Sequence, residues 1–302
     1  MSMFAGRTRR APAPAVPLAA LLLTACTQGP VSWDESAERR LAAPPLTNEA
    51  LAPDQAADTL VRATLAAALA PVGAGELPDG AVAPAADACP GSLRVARGRP
   101  RELVAAWWVE RPDRGTVLRA ARSADDGRTW DAPAAVDTLD RGGEGCLRPA
   151  PSVAVDATNG YVHVAYSLAA PEGKGVFYAH RMDPRAPFEV PQVIVYGDRP
   201  AATWVASEGD RVIVAYEDPN TGGRPFISLA LSRTGGHTWD ERVAASEGSM
   251  SAERPVVALR GPRLALGWVE RTAPRELAST DDARTATAAR PSGVVVRVGT
   301  LR

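Results

Sequence analysis

Residues 123–130 read SADDGRTW. They place Ser123, Asp125, Gly127, Thr129 and Trp130 at the fixed positions of a Ser-x-Asp-x-Gly-x-Thr-Trp pattern. Residues 232–239, SRTGGHTW, repeat it with Ser232, Gly236, Thr238 and Trp239, and put Thr234 where the aspartate stands. A weaker third copy, STDDARTA at 279–286, lacks the glycine and the tryptophan. The pattern spells a tight turn. An aspartate side chain accepts hydrogen bonds from backbone amides a few residues ahead, and a threonine hydroxyl does so more weakly. Gly127 and Gly236 supply a positive φ that a Cβ would resist. Trp130 and Trp239 then bury large apolar rings, worth roughly 1.5–3 kcal/mol or more each if fully covered. A turn that recurs implies a fold that recurs.

The surrounding sequence repeats in step with the turns. LVAAWWVE, VHVAYS, VIVAYED and LALGWVE carry comparable aromatics, Trp108, Tyr166, Tyr216 and Trp268, spaced 58, 50 and 52 residues apart. Each run is preceded by another short apolar segment and a turn, and followed by a third segment. The region without a complete turn keeps the frame: Asp183, Phe188, Glu189 and Pro191 lie 58 residues after Asp125, Trp130, Asp131 and Pro133. Four antiparallel strands in a unit of about 50 residues is the blade of a β-propeller, so the expected fold is all-β. Four blades are recognisable, near 89–140, 146–197, 199–246 and 252–300. The run from Val294 to Val298 either finishes the fourth or begins a fifth.

Before residue 86 the texture differs. Only Phe4 and Trp33 among the aromatics lie before Cys89. Residues 26–85, rich in Ala and Pro, read as a tether with one amphipathic helix near 54–69, where Leu60, Val61, Leu65 and Leu69 share a face. Arg7, Arg9 and Arg10 followed by a short apolar run make residues 1–25 a signal peptide, too short to span a bilayer as a mature helix. The run ends in Leu23-Thr24-Ala25-Cys26, which resembles a bacterial lipobox. That resemblance implies lipid attachment at Cys26, with the membrane as a partner; the alternative is an ordinary secreted protein. Thr27 after the cysteine points to an outer membrane. Cys89 and Cys146 then remain as an even pair in an oxidising compartment. They form a disulfide or stay as buried thiols.

Composition narrows the function. The 302 residues carry a formal net charge of −1, which argues against a nucleic-acid binder. Nearly all the positive charge is arginine; Lys174 is the sole lysine. His163, His180 and His237 are scattered along the chain and form no metal or triad constellation, and no phosphate loop or Cys-x-x-Cys occurs. No metal or other cofactor is expected.

The turn pattern, known as the Asp-box, together with the repeat frame, resembles the sialidase (neuraminidase) superfamily and the wider Asp-box, or BNR-repeat, proteins. The resemblance covers about 210 residues and implies a propeller with its ligand site on the face opposite the boxes. Sialidases have six blades, and this chain has room for fewer. On the expected ligand face, Arg148, Arg199 and Arg254 lead into first strands, and Glu110, Glu217 and Glu270 leave second strands. Sialidases grip a carboxylate with an arginine triad and use a Tyr–Glu nucleophile pair with an Asp acid/base. The match is partial: no Arg-Ile-Pro precedes Ser123, and the three arginines here are repeat-equivalent. They are ligand-facing or tie neighbouring blades together. Tyr196 is the one tyrosine near the expected mouth. Two readings follow: a lipid-anchored, non-catalytic glycan- or protein-binding propeller, or an exo-acting sialidase-type glycoside hydrolase.

Overall fold

The computed structural model describes residues 29–34, 39–42, 77–142, 144–183, 186–221, 224–246, 251–271 and 293–302. The signal segment, Cys26, the helix expected near 54–69 and the third turn copy at 279–286 lie outside the described residues.

Two short strands come first, β1 (Val31–Trp33) and β2 (Arg39–Ala42). Three four-stranded antiparallel sheets follow. The first is β3 (Arg94–Arg97), β4 (Leu103–Glu110), β5 (Thr116–Ser123) and β6 (Ala134–Asp137). The second is β7 (Ser152–Val155), β8 (Val162–Ala170), β9 (Gly173–Arg181) and β10 (Gln192–Tyr196). The third is β11 (Thr203–Glu208), β12 (Arg211–Glu217), β13 (Ile227–Ser232) and β14 (Glu241–Ala244). The fourth is β15 (Ser251–Arg260), β16 (Arg263–Arg271) and β17 (Gly293–Leu301), with β1 and β2 both paired to the free edge of β17.

That last pairing corrects one expectation and decides another. Val31 pairs with Leu301 and Trp33 with Gly299, while Leu41 pairs with Val294. Part of the supposed tether is therefore the outer strand of the fourth blade. The Val294–Val298 run is that blade's third strand and begins no fifth. The weak copy at 279–286 consequently falls between a second and a third strand, whereas the two strong copies follow third strands β5 and β13.

The sheets pack face to face in chain order. Val104, Ala106 and Trp108 of the first meet Val162, Val164 and Tyr166 of the second. Ala165 and Tyr178 of the second meet Val212, Val214 and Tyr216 of the third. Ile213 and Ala215 of the third meet Leu264, Leu266 and Trp268 of the fourth. Each central strand is thus apolar on both faces, which is why these runs read as continuous rather than alternating. Trp108, Tyr166, Tyr216 and Trp268 are all fully buried, but Trp108 is not equivalent to the others. Those three look back at the preceding sheet, and Trp108 looks forward. The backward-facing residue of the first sheet is Trp107, packed with Ala85, Ala88, Leu93 and Trp130. Strand faces alternate with period two, so one step along the chain reverses the direction. Among the described residues no comparable cluster joins the fourth sheet to the first.

The two turns behave as their residues require. The Ser123 hydroxyl accepts the N–H of Gly127 at 2.8 Å and donates to Asp125. Asp125 accepts both the Thr129 N–H at 2.9 Å and its hydroxyl at 2.7 Å. These bonds to Thr129, then that to Ser123, hold the Asp125 carboxyl down at about 2. In the second turn Thr234 takes over and accepts the Thr238 N–H at 2.9 Å. The tryptophans are half-buried rather than covered, and each pins its sheet to what precedes it. Trp239 stands edge-on to Tyr178, with its indole N–H donating to Gln192. Trp130 donates to the carbonyl of Val82, because residues 81–88 sit where a preceding blade would be.

Candidate functional site

The loops before first strands and after second strands gather at one end of the sheets, opposite the two turns. Glu217 Oε1 accepts the N–H of Arg254 at 2.8 Å, and its Oε2 accepts that of Ala202 at 3.3 Å. Burial is the main influence on this carboxyl and raises its pKa, with the two backbone bonds and Arg199 pulling the other way. Arg254 adopts a left-handed φ of 57° at this junction, beside a register shift in β15.

Arg148 is locked more tightly. Its Nη2 lies 2.8 Å from Asp140 Oδ2, and both side chains are almost completely buried, 3% and 1% exposed. Its Nε donates to Gly145 O, and its guanidinium lies over the Trp108 ring at 5.1 Å. Asp140 also accepts the N–H and hydroxyl of Thr116. A buried charge is tolerable only with such a full set of partners. Glu110 is exposed and lies 3.5 Å from Arg114. Glu270 is buried, and Trp268 donates to it at 3.3 Å.

Arg148 and Arg199 share one shallow cleft with Lys174, Glu144 and Ser167. Its free space is about 10 Å³, room for roughly one water molecule. Arg199 donates to Thr221 Oγ1 at 2.6 Å and more weakly to Asp218 O, both uncharged acceptors. Lys174 lies 3.8 Å from Glu144, both partly exposed. Tyr196 borders the same rim: it is 47% exposed, and the following Gly197 N–H donates to Lys174 O. Lys174, Glu144 and Asp140 were missed from sequence. Lys174 carried a signal, being the sole lysine, but nothing in the chain order linked it to the arginines.

The structure also gathers what looked dispersed. His163, His180 and His237 form one column on the opposite end, with ring centres 6.2 Å and 4.7 Å apart between successive members, and Glu189 joins it. Adjacent strands β8 and β9 and a turn of the next sheet bring them together, a proximity that chain spacing hides. A larger cleft of about 420 Å³ lies at this end too, lined by Asp210, Arg211, Arg233 and Arg302. One of its walls is Leu301 and Arg302, and Arg233 is paired with Asp240.

Successive four-stranded antiparallel sheets, two of them joining third strand to fourth through a Ser-x-Asp-x-Gly-x-Thr-Trp turn or its threonine variant, make this a β-propeller-type fold. No family model and no curated protein matches the chain. Solved structures do. It is similar to a Hadza microbial sialidase at 16% identity and a TM-score of 0.46, over 59% of this chain and 41% of that one. A protein of unknown function from Dyadobacter fermentans is similar at 13% identity and 0.48, over 69% and 53%. The α-L-arabinanase of Penicillium chrysogenum follows at 16% and 0.44, over 62% and 60%. The chain thus spans about half the length of the structures it resembles.

Proposed function

We propose that this chain is a lipid-anchored envelope propeller that binds an acidic glycan on the face opposite its two turns, without chemical turnover. One observation carries the reading: the charged groups there are already engaged in holding loops together. Arg148 is buried against Asp140, and Glu217 is bound to two backbone N–H groups. Groups so committed serve as ties between loops, held in place by the backbone and by each other rather than aimed at a substrate. Arg199 and Lys174 are different. The partners of Arg199 are neutral oxygens, which a ligand carboxylate outcompetes for charge-assisted bonds, and Lys174 stands 3.8 Å from a partly exposed carboxylate. Tyr196 adds an exposed aromatic face for the apolar side of a sugar ring. The cleft is far below the roughly 300–1,000 Å³ of a pocket that encloses a ligand, so contact is with a surface. Anchoring rests on the lipobox-like residues before Cys26, and the outer membrane on Thr27.

Calorimetric titration with a sialylated oligosaccharide and its neutral counterpart tests the binding. Preference for the acidic form, weakened in Arg199→Ala and Lys174→Ala, supports it; equal affinity for both sugars refutes it. Hydrolysis of a fluorogenic sialoside that Arg254→Ala abolishes would establish the exo-sialidase reading instead. Incorporation of labelled fatty acid, lost in Cys26→Ser, tests the anchor.

A further inference from the structure

We propose that His180, Glu189 and His237 form a binding site for a divalent transition metal of the zinc class, clipping the second sheet to the turn of the third. His180 is the penultimate residue of β9, and Glu189 is reached through the loop before β10. The Glu189 N–H donates to His180 O at 2.9 Å, which fixes the two residues side by side. The same backbone bond recurs as Asp131 to Arg122 and Asp240 to Leu231, so these are equivalent positions of successive blades. Of the three pairs, this one joins an imidazole to a carboxylate. His237 occupies the variable position of the second turn and comes from the neighbouring sheet.

Their donor atoms converge. Glu189 Oε1 is 3.7 Å from His180 Nε2, and Oε2 is 3.9 Å from His237 Nδ1. One donor atom from each residue fits within a mutual spacing of 4.8 Å. Ligands at about 2.0–2.2 Å from a tetrahedral zinc stand roughly 3.3–3.5 Å apart. The arrangement is therefore one small contraction from that geometry. Glu189 and His237, each 42% exposed, have the freedom to make it.

A second observation points to a ligand. The His180 side chain is 1% exposed, and its Nε2 has no hydrogen-bond partner, although it faces Glu189. Tyr178 stacks on this ring at 5.4 Å and holds its direction. A buried polar atom left unpaired is costly, and a metal at this point removes the cost. His237 Nε2 lies 3.3 Å from Met182 Sδ. A proton held there leaves the Nδ1 lone pair for the metal. Two imidazoles and a carboxylate are a borderline donor set, suited to zinc rather than to calcium or magnesium.

The test uses the full chain in mild detergent, purified without a histidine tag and stripped with a chelator. Calorimetric titration with Zn²⁺ should show one ion per chain. Co²⁺ should give the intense visible absorption of a tetrahedral site. His237→Gln and Glu189→Gln alter half-exposed side chains, and retained circular dichroism confirms their fold. Each should weaken Zn²⁺ binding by at least the roughly 10–100-fold that loss of an outer partner costs. Absence of Zn²⁺ binding in the parent chain, or affinity unchanged from the parent in both variants, overturns the proposal.

Discussion

Glu217, at the end of the third sheet's second strand, accepts the backbone N–H of Arg254, in the fourth sheet's first strand, at 2.8 Å. One side chain thereby joins two blades, and its other oxygen takes the N–H of Ala202. Both acceptor positions are needed. In Glu217→Gln the amide nitrogen would face one of the two N–H groups, leaving a part-buried donor without this acceptor. The expected loss is about 1–3 kcal/mol in urea denaturation at neutral pH. The raised pKa adds a pH signature. The protonated form is favoured in the folded state, so this residue's contribution is greatest in acid and declines as pH rises through its folded pKa.

Asp125 has the opposite sign. Its carboxyl falls from the usual 3.8 to about 2 because Thr129 and Ser123 bond the ionised form. Its stabilising contribution is complete above the ordinary value and is lost as pH falls through about 2. Denaturation curves between these limits should be flatter in Asp125→Asn than in the parent. Asp125→Thr should be the gentler substitution, since Thr234 fills the same role in the second turn.

Gly236→Ala should be severely destabilising. The residue has φ +93°, and a Cβ would run into the hydroxyl of Tyr178, which is itself bonded to His163 at 2.7 Å. Strain and overpacking together cost roughly 2–5 kcal/mol. The neighbouring Gly235→Asp should stay within about 1 kcal/mol. A Cβ there meets nothing closer than 3.9 Å, and Asp126 holds a similar φ of 62° in the first turn. Thermal denaturation of the two variants decides this; comparable losses would show that Tyr178 yields.

Cys89 and Cys146 form a disulfide across a separation of 57 residues, joining the segments that precede β3 and β7. A loop of that length gives about 4 kcal/mol in the chain-entropy model. Denaturation with and without reductant should differ by that order, and Cys89→Ser should match the reduced parent. An unchanged midpoint would mean that the Trp108–Tyr166 packing holds these sheets without it.

Much of the fold was legible because its signals are local. Ser123, Asp125 and Gly127 shape a turn through bonds within a few residues, and β4, β8, β12 and β16 are dense apolar runs. The charged end was legible in part. Repeat position placed Arg148, Arg199, Glu217 and Arg254 together, but not their partners. Asp140 comes from the loop after β6 and Lys174 from the start of β9, and nothing in the repeat pattern links either to the arginines. Trp108 was aligned with Tyr166, Tyr216 and Trp268 although Trp107 is their counterpart, because two adjacent tryptophans do not reveal which one looks backward. The histidines were misjudged because spacings of 17 and 57 residues hide a column that spans two sheets.

The amino-acid order by itself determined the strands, the two turns and the succession of blades, since hydrogen bonding within a turn and side-chain alternation act over a few residues. Only the tertiary structure decided that residues 31–33 and 39–42 complete the fourth sheet. It alone sealed Arg148 against Asp140 and set His180 beside His237. These are pairings across turns, sheets or most of the chain's length. Their energy comes from burial and geometry that exist only once the sheets have stacked, so the sequence carries no local trace of them.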